Sequence, residues 1–243
     1  MHWRHRVCTD RDRGGTVALS EIKSQYLRVL PFWAALLPLV TFNASYLIAA
    51  ALEHVPSCFT YFEGCTSVSS TGRQLPEALF FKTGMVSLAV ILLLLWYRTA
   101  AFLDARVLRV FATVMVVGLL LYAITLGMQD ETMQFLRRVG INGFAFGTLF
   151  TQVSFVVLYR PRQTDATRVL FRWLVFLCIA LPVVGIISEI SKALGAPRRP
   201  TNNIAAWNAF LVSSGYYFVL ARVWWHHGIT HRMAAGRPAS PSE

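Results

Sequence analysis

Six long apolar runs constrain this sequence more than any other feature. Each is close to the roughly 20 helical residues needed to cross a hydrocarbon core of about 30 Å. The runs cover residues 29–52, 78–97, 107–127, 139–159, 169–190 and 204–225. Because backbone polar groups in hydrocarbon must be hydrogen-bonded within the protein, each run is predicted to be helical. The sequence therefore predicts an all-α membrane protein, a bundle of six transmembrane helices.

The predicted helices divide the chain into three parts. Residues 1–27 are expected to form a cytoplasmic N-terminal segment, residues 28–227 the six-helix transmembrane domain with an outer loop at 53–77, and residues 228–243 a flexible cytoplasmic tail. The first run is too long for a secretory signal peptide and has no clear small-x-small cleavage pattern. Pro31, Pro38 and Pro182 lie inside spans. Proline leaves a backbone carbonyl without its helical hydrogen bond, and neighbouring helices can provide another partner for it. The three prolines predict kinks rather than breaks.

The composition of the chain and the placement of its charged residues are typical of a membrane protein. Hydrophobic residues make up 55% of the chain and charged residues 14%, with a formal net charge of +11. In a soluble protein such a charge would suggest nucleic acid as a partner. Here the basic residues lie between apolar runs, so we interpret them as orientation signals and lipid-headgroup contacts. Membrane lipids are the expected partners, and no nucleic acid is expected.

The basic residues also predict the orientation, because short cytoplasmic loops carry the excess of Lys and Arg. Sixteen of the 23 lie in the N-terminal segment, the second and fourth connections and the tail. The seven on the other side are Arg73, Lys82, Arg137, Arg138, Lys192, Arg198 and Arg199. Both termini are therefore predicted to be cytoplasmic, and the 53–77 loop is predicted to be outside.

Two of the four cysteines, Cys58 and Cys65, share this outer loop. The outer face is oxidising, and the six residues between them allow a bridge if the loop doubles back. A disulfide and two free thiols both remain compatible with the sequence. Cys8 and Cys178 are expected to be unpaired, and no cysteine has the companion spacing of a zinc site, so no metal is predicted.

Ionisable residues near span ends need a physical reason, since a charge at a membrane centre costs about 2.5 to 3.5 kcal/mol on insertion scales. Glu77 and Lys82 lie at the outer end of the second span, and Glu189 lies at the outer end of the fifth, three residues before Lys192. We predict that Glu77, Lys82 and Glu189 form one polar cluster beneath the loop residues Ser69, Thr71 and Gly72. Separate side chains that reach the headgroups are the alternative.

No catalytic motif stands out. The sequence has no His-Glu-x-x-His, no Gly-x-Ser-x-Gly and no phosphate-binding glycine loop, and no cofactor is predicted. The loop hydroxyls lack an evident histidine partner, which favours loop polarity over nucleophiles. Catalytic residues therefore remain unassigned.

The most specific string lies in the outer loop: Thr66-Ser67-Val68-Ser69-Ser70-Thr71-Gly72, then Pro76-Glu77 and Phe80. It resembles the Frag/DRAM/Sfk family of six-span membrane proteins, whose first outer loop carries a similar Ser/Thr-Gly stretch followed by Pro-Glu and an aromatic residue. The resemblance covers roughly residues 25–227. The family includes members linked to autophagy, to lipid remodelling of GPI anchors and to phospholipid organisation. This chain departs from it by lacking a histidine near Arg138 and an acidic residue before Trp207.

This resemblance implies a protein that organises or handles membrane lipid at its outer face. The plasma membrane is the expected location for a cell with one membrane, and the sequence shows no recognised retrieval or lipidation signal. Two alternatives remain: an acyl- or headgroup-transfer enzyme, and a small transporter or channel. An enzyme would need a base and a nucleophile or metal in one pocket. A transporter would need polar residues along a path through several spans. The sequence does not predict the lipid or the oligomeric state.

Overall fold

A computed structural model describes the backbone of residues 11–162 and 165–226, and the side chains of residues 29–161, 165 and 167–225. This part of the chain contains no strand and seven α-helices. They are α1 (Arg11–Ala51), α2 (Thr60–Glu63), α3 (Glu77–Leu103), α4 (Arg106–Thr125), α5 (Glu131–Tyr159), α6 (Arg168–Ala193) and α7 (Arg198–His226). All but the four-residue α2 are long and apolar enough to cross a membrane. The predicted all-α bundle with six spans is confirmed.

Several helices extend beyond the apolar runs. α5 begins at Glu131 and α7 at Arg198, both well before the predicted starts at 139 and 204. Polar residues continue a helix outside the hydrocarbon, because its hydrogen bonds do not depend on apolar side chains. α1 likewise begins at Arg11, so the helix that contains the first span also includes residues 11–27 of the predicted N-terminal segment. The predicted tail at 228–243 and Cys8 lie outside the described residues.

Contacts between the helices show how they are arranged in the bundle. α1 packs against α3 and α7, α4 packs between α3 and α5, and α6 packs mainly against α7. Pro31 and Pro38 lie within α1, and Pro182 lies within α6, and both helices continue through them. α6 lies at the edge of the bundle, where many of its apolar side chains are exposed toward the membrane hydrocarbon.

Glycines set the close approach of α4 and α5. A Cβ atom added at Gly140 would lie 2.7 Å from the backbone nitrogen of Tyr122, and one at Gly147 would lie 2.6 Å from Cα of Met115. Real Cβ contacts are longer, so only glycine allows this separation. These contacts place the loop-side end of α5 directly beside that of α4.

Candidate functional site

The 53–77 loop covers one end of the bundle, which we call the loop side. A disulfide joins Cys58 to Cys65, with their Cα atoms 6.5 Å apart, so the pairing that the sequence left open is present. The Tyr46 hydroxyl donates to the carbonyl oxygen of Cys58 at 2.6 Å and accepts from its backbone nitrogen at 2.8 Å. The loop is therefore closed on itself and tied to α1.

α7 holds the loop through three side-chain donors. Trp207 Nε1 donates to the carbonyl of Thr66 at 3.0 Å, and Asn203 Nδ2 donates to that of Gly64 at 2.7 Å. Asn208 Nδ2 donates to the carbonyl of Tyr61 at 2.9 Å. Because Trp207 is fully buried, its indole hydrogen bond fixes the loop backbone at the start of the Ser/Thr motif.

Hydroxyl groups organise the motif itself. Ser70 Oγ lies 2.7 Å from Thr66 Oγ1 and 3.0 Å from Ser67 Oγ, and Ser67 Oγ lies 3.1 Å from Ser69 Oγ. Thr71 is fully buried and donates to the carbonyl of Val68 at 2.7 Å. The motif thus folds into a compact turn whose shape depends on short hydroxyl side chains.

Gly72 ends this turn against α3. A Cβ atom there would lie 2.6 Å from Cγ of Phe81, so the loop could not approach the helix as closely with any other residue. Gly72 therefore allows the motif to pack closely against Phe81 of α3.

Glu77 forms a buried pair with His54. Its side chain has no exposed surface, and Oε1 lies 2.7 Å from Nδ1 of His54, whose side chain is 26% exposed. Oε2 of Glu77 has no hydrogen-bond partner among the described residues. The pair joins the two ends of the loop, because His54 follows α1 and Glu77 begins α3.

None of the ion pairs among the described residues joins Glu77, Lys82 and Glu189 to one another, so their predicted cluster stays a prediction. Glu189 Oε1 instead lies 2.6 Å from Nζ of Lys192. Lys82 forms no ion pair with any described residue. Five residues of helix rotate a side chain by about 140° from Glu77, so Lys82 points elsewhere. α3 packs mainly on α1 and α4, whereas α6 packs mainly on α7.

A cavity of about 180 Å³ lies on the loop side, between the motif and helices α4, α5 and α7. Its polar lining comes from Ser67, Ser69, Tyr122, Arg137 and Arg138. Tyr122 of α4 and Ser69 of the motif both line it, which places two hydroxyl-bearing side chains at the cavity. Polar groups converging with two cationic side chains are suited to bind an oxygen-rich anion.

An apolar groove of about 450 Å³ adjoins this cavity. It is lined by residues within 141–149 of α5, 181–185 of α6 and 205–213 of α7. Ile141, Ala206 and Phe210 line both spaces, so the cavity and the groove are neighbours. A cavity with arginine and hydroxyl side chains in its lining therefore adjoins an apolar groove along the membrane-spanning helices.

The predicted site residues have different positions in this arrangement. Ser69 lines the cavity, whereas Thr71 and Gly72 shape the motif behind it, and Glu77 supports the loop. Sequence reasoning missed His54 as the partner of a loop carboxylate, although its place directly after the first span was a signal. It also missed Tyr122, because a tyrosine near a span end is usually an interfacial anchor.

No protein-family model, curated protein or solved structure matches this chain.

Proposed function

We propose that this protein binds and organises membrane lipid at the loop side, which the sequence predicts to be the outer face. The observation that carries the proposal is the junction between the basic cavity and the apolar groove. A lipid has the same two parts, a polar headgroup and an apolar chain. The groove runs along helices that cross the membrane, so a chain held there stays in hydrocarbon while its headgroup reaches the cavity.

The arrangement of polar groups favours binding over transfer chemistry. The carboxylate of Glu77 is engaged with His54, and neither residue lines the cavity. A transfer enzyme needs a base and a nucleophile converging on one reacting atom. Arginines and hydrogen-bonded hydroxyls instead supply contacts to a headgroup. The resemblance to the Frag/DRAM/Sfk family supports the same function.

Lipid analysis tests the proposal. The protein should be purified from its membrane in mild detergent, and the co-purified lipids should be compared with the total membrane lipids. We expect a subset of lipids to be enriched with the protein and reduced when Ser69 and Tyr122 are replaced by alanine and phenylalanine. A co-purified profile equal to the bulk membrane in both proteins would contradict the proposal.

A second comparison separates binding from catalysis. Whole-cell lipid profiles with and without the protein should contain the same lipid species if the protein only binds and organises lipid. Appearance of a new acyl or headgroup species that requires the protein would instead identify a transfer enzyme.

A further inference from the structure

We infer that the site selects a phospholipid with a net negative headgroup, its phosphate held at Arg137 and Arg138 and one acyl chain lying in the adjoining groove. This inference rests on the proposed function and adds the class of lipid.

The charge of the cavity is positive and unbalanced. Arg137 and Arg138 line it, and neither forms an ion pair with another described residue. No carboxylate is among its lining residues. Cationic groups beside hydrocarbon are costly when unpaired, and a bound anion offsets that cost. Guanidinium groups also match the paired oxygens of a phosphate.

The same charge disfavours a zwitterionic headgroup. The ammonium of phosphatidylcholine would lie close to two guanidinium groups, with no lining carboxylate to balance it. Like charges repel, so this headgroup is disfavoured beside the two arginines. Ser67, Ser69 and Tyr122 instead offer hydroxyls, which bind phosphate or glycerol oxygens equally well.

The size of the cavity favours a small headgroup. About 180 Å³ corresponds to roughly six water-sized groups. A phosphate with a short polar substituent fits this space.

The groove has the dimensions of one chain in one leaflet. Its lining on α5 extends from Ile141 to Leu149 and on α7 from Ala205 to Ser213. Eight residue steps of helix cover about 12 Å, close to half of a hydrocarbon core of about 30 Å. A lipid with its phosphate on the loop side therefore places its chain in the leaflet of that side.

Gly185 marks where the groove can be blocked. It lines the groove, and no atom lies within 4 Å of the position that its Cβ would occupy. A large side chain at 185 would enter the groove without displacing another residue. Ile186, the next residue, is 55% exposed and does not line the groove, which makes it the matched control.

The test measures binding of defined lipids to the full chain in detergent micelles by native mass spectrometry. Dioleoyl phosphatidylglycerol should bind at least tenfold more tightly than dioleoyl phosphatidylcholine, which has the same chains. Glycerol 3-phosphate, which has no chains, should not compete at the same concentration. Equal binding of the two lipids would refute charge selection but leave the proposed function standing, whereas binding of neither would refute both. Competition by glycerol 3-phosphate would refute the use of the groove.

Arginine variants test whether Arg137 and Arg138 bind the headgroup. The double variant Arg137→Gln/Arg138→Gln should lower phosphatidylglycerol affinity about tenfold or more and abolish the preference over phosphatidylcholine. Arg198→Gln/Arg199→Gln removes the same charge on the loop side and should leave the preference intact. An equal loss in both double variants would overturn the assignment.

The groove is tested in the same way. Gly185→Trp should weaken both lipids about tenfold while Ile186→Trp leaves them unchanged, and each variant should keep the melting temperature of the parent. If Gly185→Trp unfolds, Gly185→Leu replaces it. Unchanged binding in a folded Gly185 variant would refute the placement of the chain.

Discussion

Replacing Gly140 by alanine should loosen the contact that holds α4 against the loop-side end of α5. A Cβ atom at 140 would lie 2.7 Å from the backbone nitrogen of Tyr122, an atom that cannot rotate away. Ordinary contact begins at 3.4 Å, so the helices would have to separate by about 0.7 Å. At Gly143 on the same helix, the nearest atom would be Cα of Gly118 at 3.6 Å, which an alanine tolerates. Gly143→Ala is therefore the matched control.

The expected magnitude follows from this geometry. Forcing extra atoms into a packed contact costs about 1–3 kcal/mol. A radial gap of about 0.5–1 Å also forfeits a quarter to a half of each dispersion contact along the interface. Alanine gains about 1 kcal/mol over glycine from helix propensity, but this gain is common to both variants and cancels. The free energy of unfolding should thus be lower in Gly140→Ala than in Gly143→Ala by about 1–3 kcal/mol.

The assay is a reversible unfolding titration in mixed micelles, followed by tryptophan fluorescence, with phosphatidylglycerol binding measured on the same samples. Gly140→Ala should also weaken binding, because it moves Tyr122 away from Arg137. Equal free energies of unfolding in the two alanine variants would refute the argument that close helix approach depends on Gly140.

Three further predictions concern the loop and the topology. Replacing Cys58 and Cys65 by serine should lower the free energy of unfolding by about 2.5 kcal/mol, the loop-closure value for a short loop. A double serine variant as stable as the parent protein would contradict a structural role for the disulfide. Replacing His54 by alanine should lower the free energy of unfolding by about 1–3 kcal/mol, because the buried carboxyl group of Glu77 would lose its hydrogen-bond partner; His54→Gln, which keeps a donor, should cost less, and equal losses would argue against the pair. An impermeant thiol reagent should label a cysteine introduced at Gln134 in intact cells, and labelling only after permeabilisation would reverse the predicted orientation.

The sequence predicted the spans because membrane insertion depends on the length and apolarity of a segment. It did not predict the starts of α5 and α7, since Asp130 caps α5 with hydrogen bonds to the backbone of Thr132 and Met133 well outside the apolar run. A cap is a local contact that hydropathy does not detect.

The candidate site was less predictable, because it joins residues that are far apart in sequence. Arg137 and Arg138 were assigned correctly to the side that holds the loop, as the cavity contains both. The two arginines lie near Ser69 and Tyr122 because α4 packs closely against α5 and because Trp207 is hydrogen-bonded to the loop backbone. The sequence also did not predict the partner of Glu77, because His54 lies 23 residues away at the other end of the loop.

Photocrosslinking tests the central claim, that a lipid occupies the cavity and the groove together, most directly. The full chain in nanodiscs should be exposed to phosphatidylglycerol with a photoreactive group in one acyl chain, and the adducts should be mapped by mass spectrometry. The account predicts adducts concentrated on residues 141–149 and 181–185, and fewer of them in Arg137→Gln/Arg138→Gln. Adducts concentrated instead on the exposed face of α6, at residues such as Phe176 and Ile179, with no effect of the arginine variant, would contradict it.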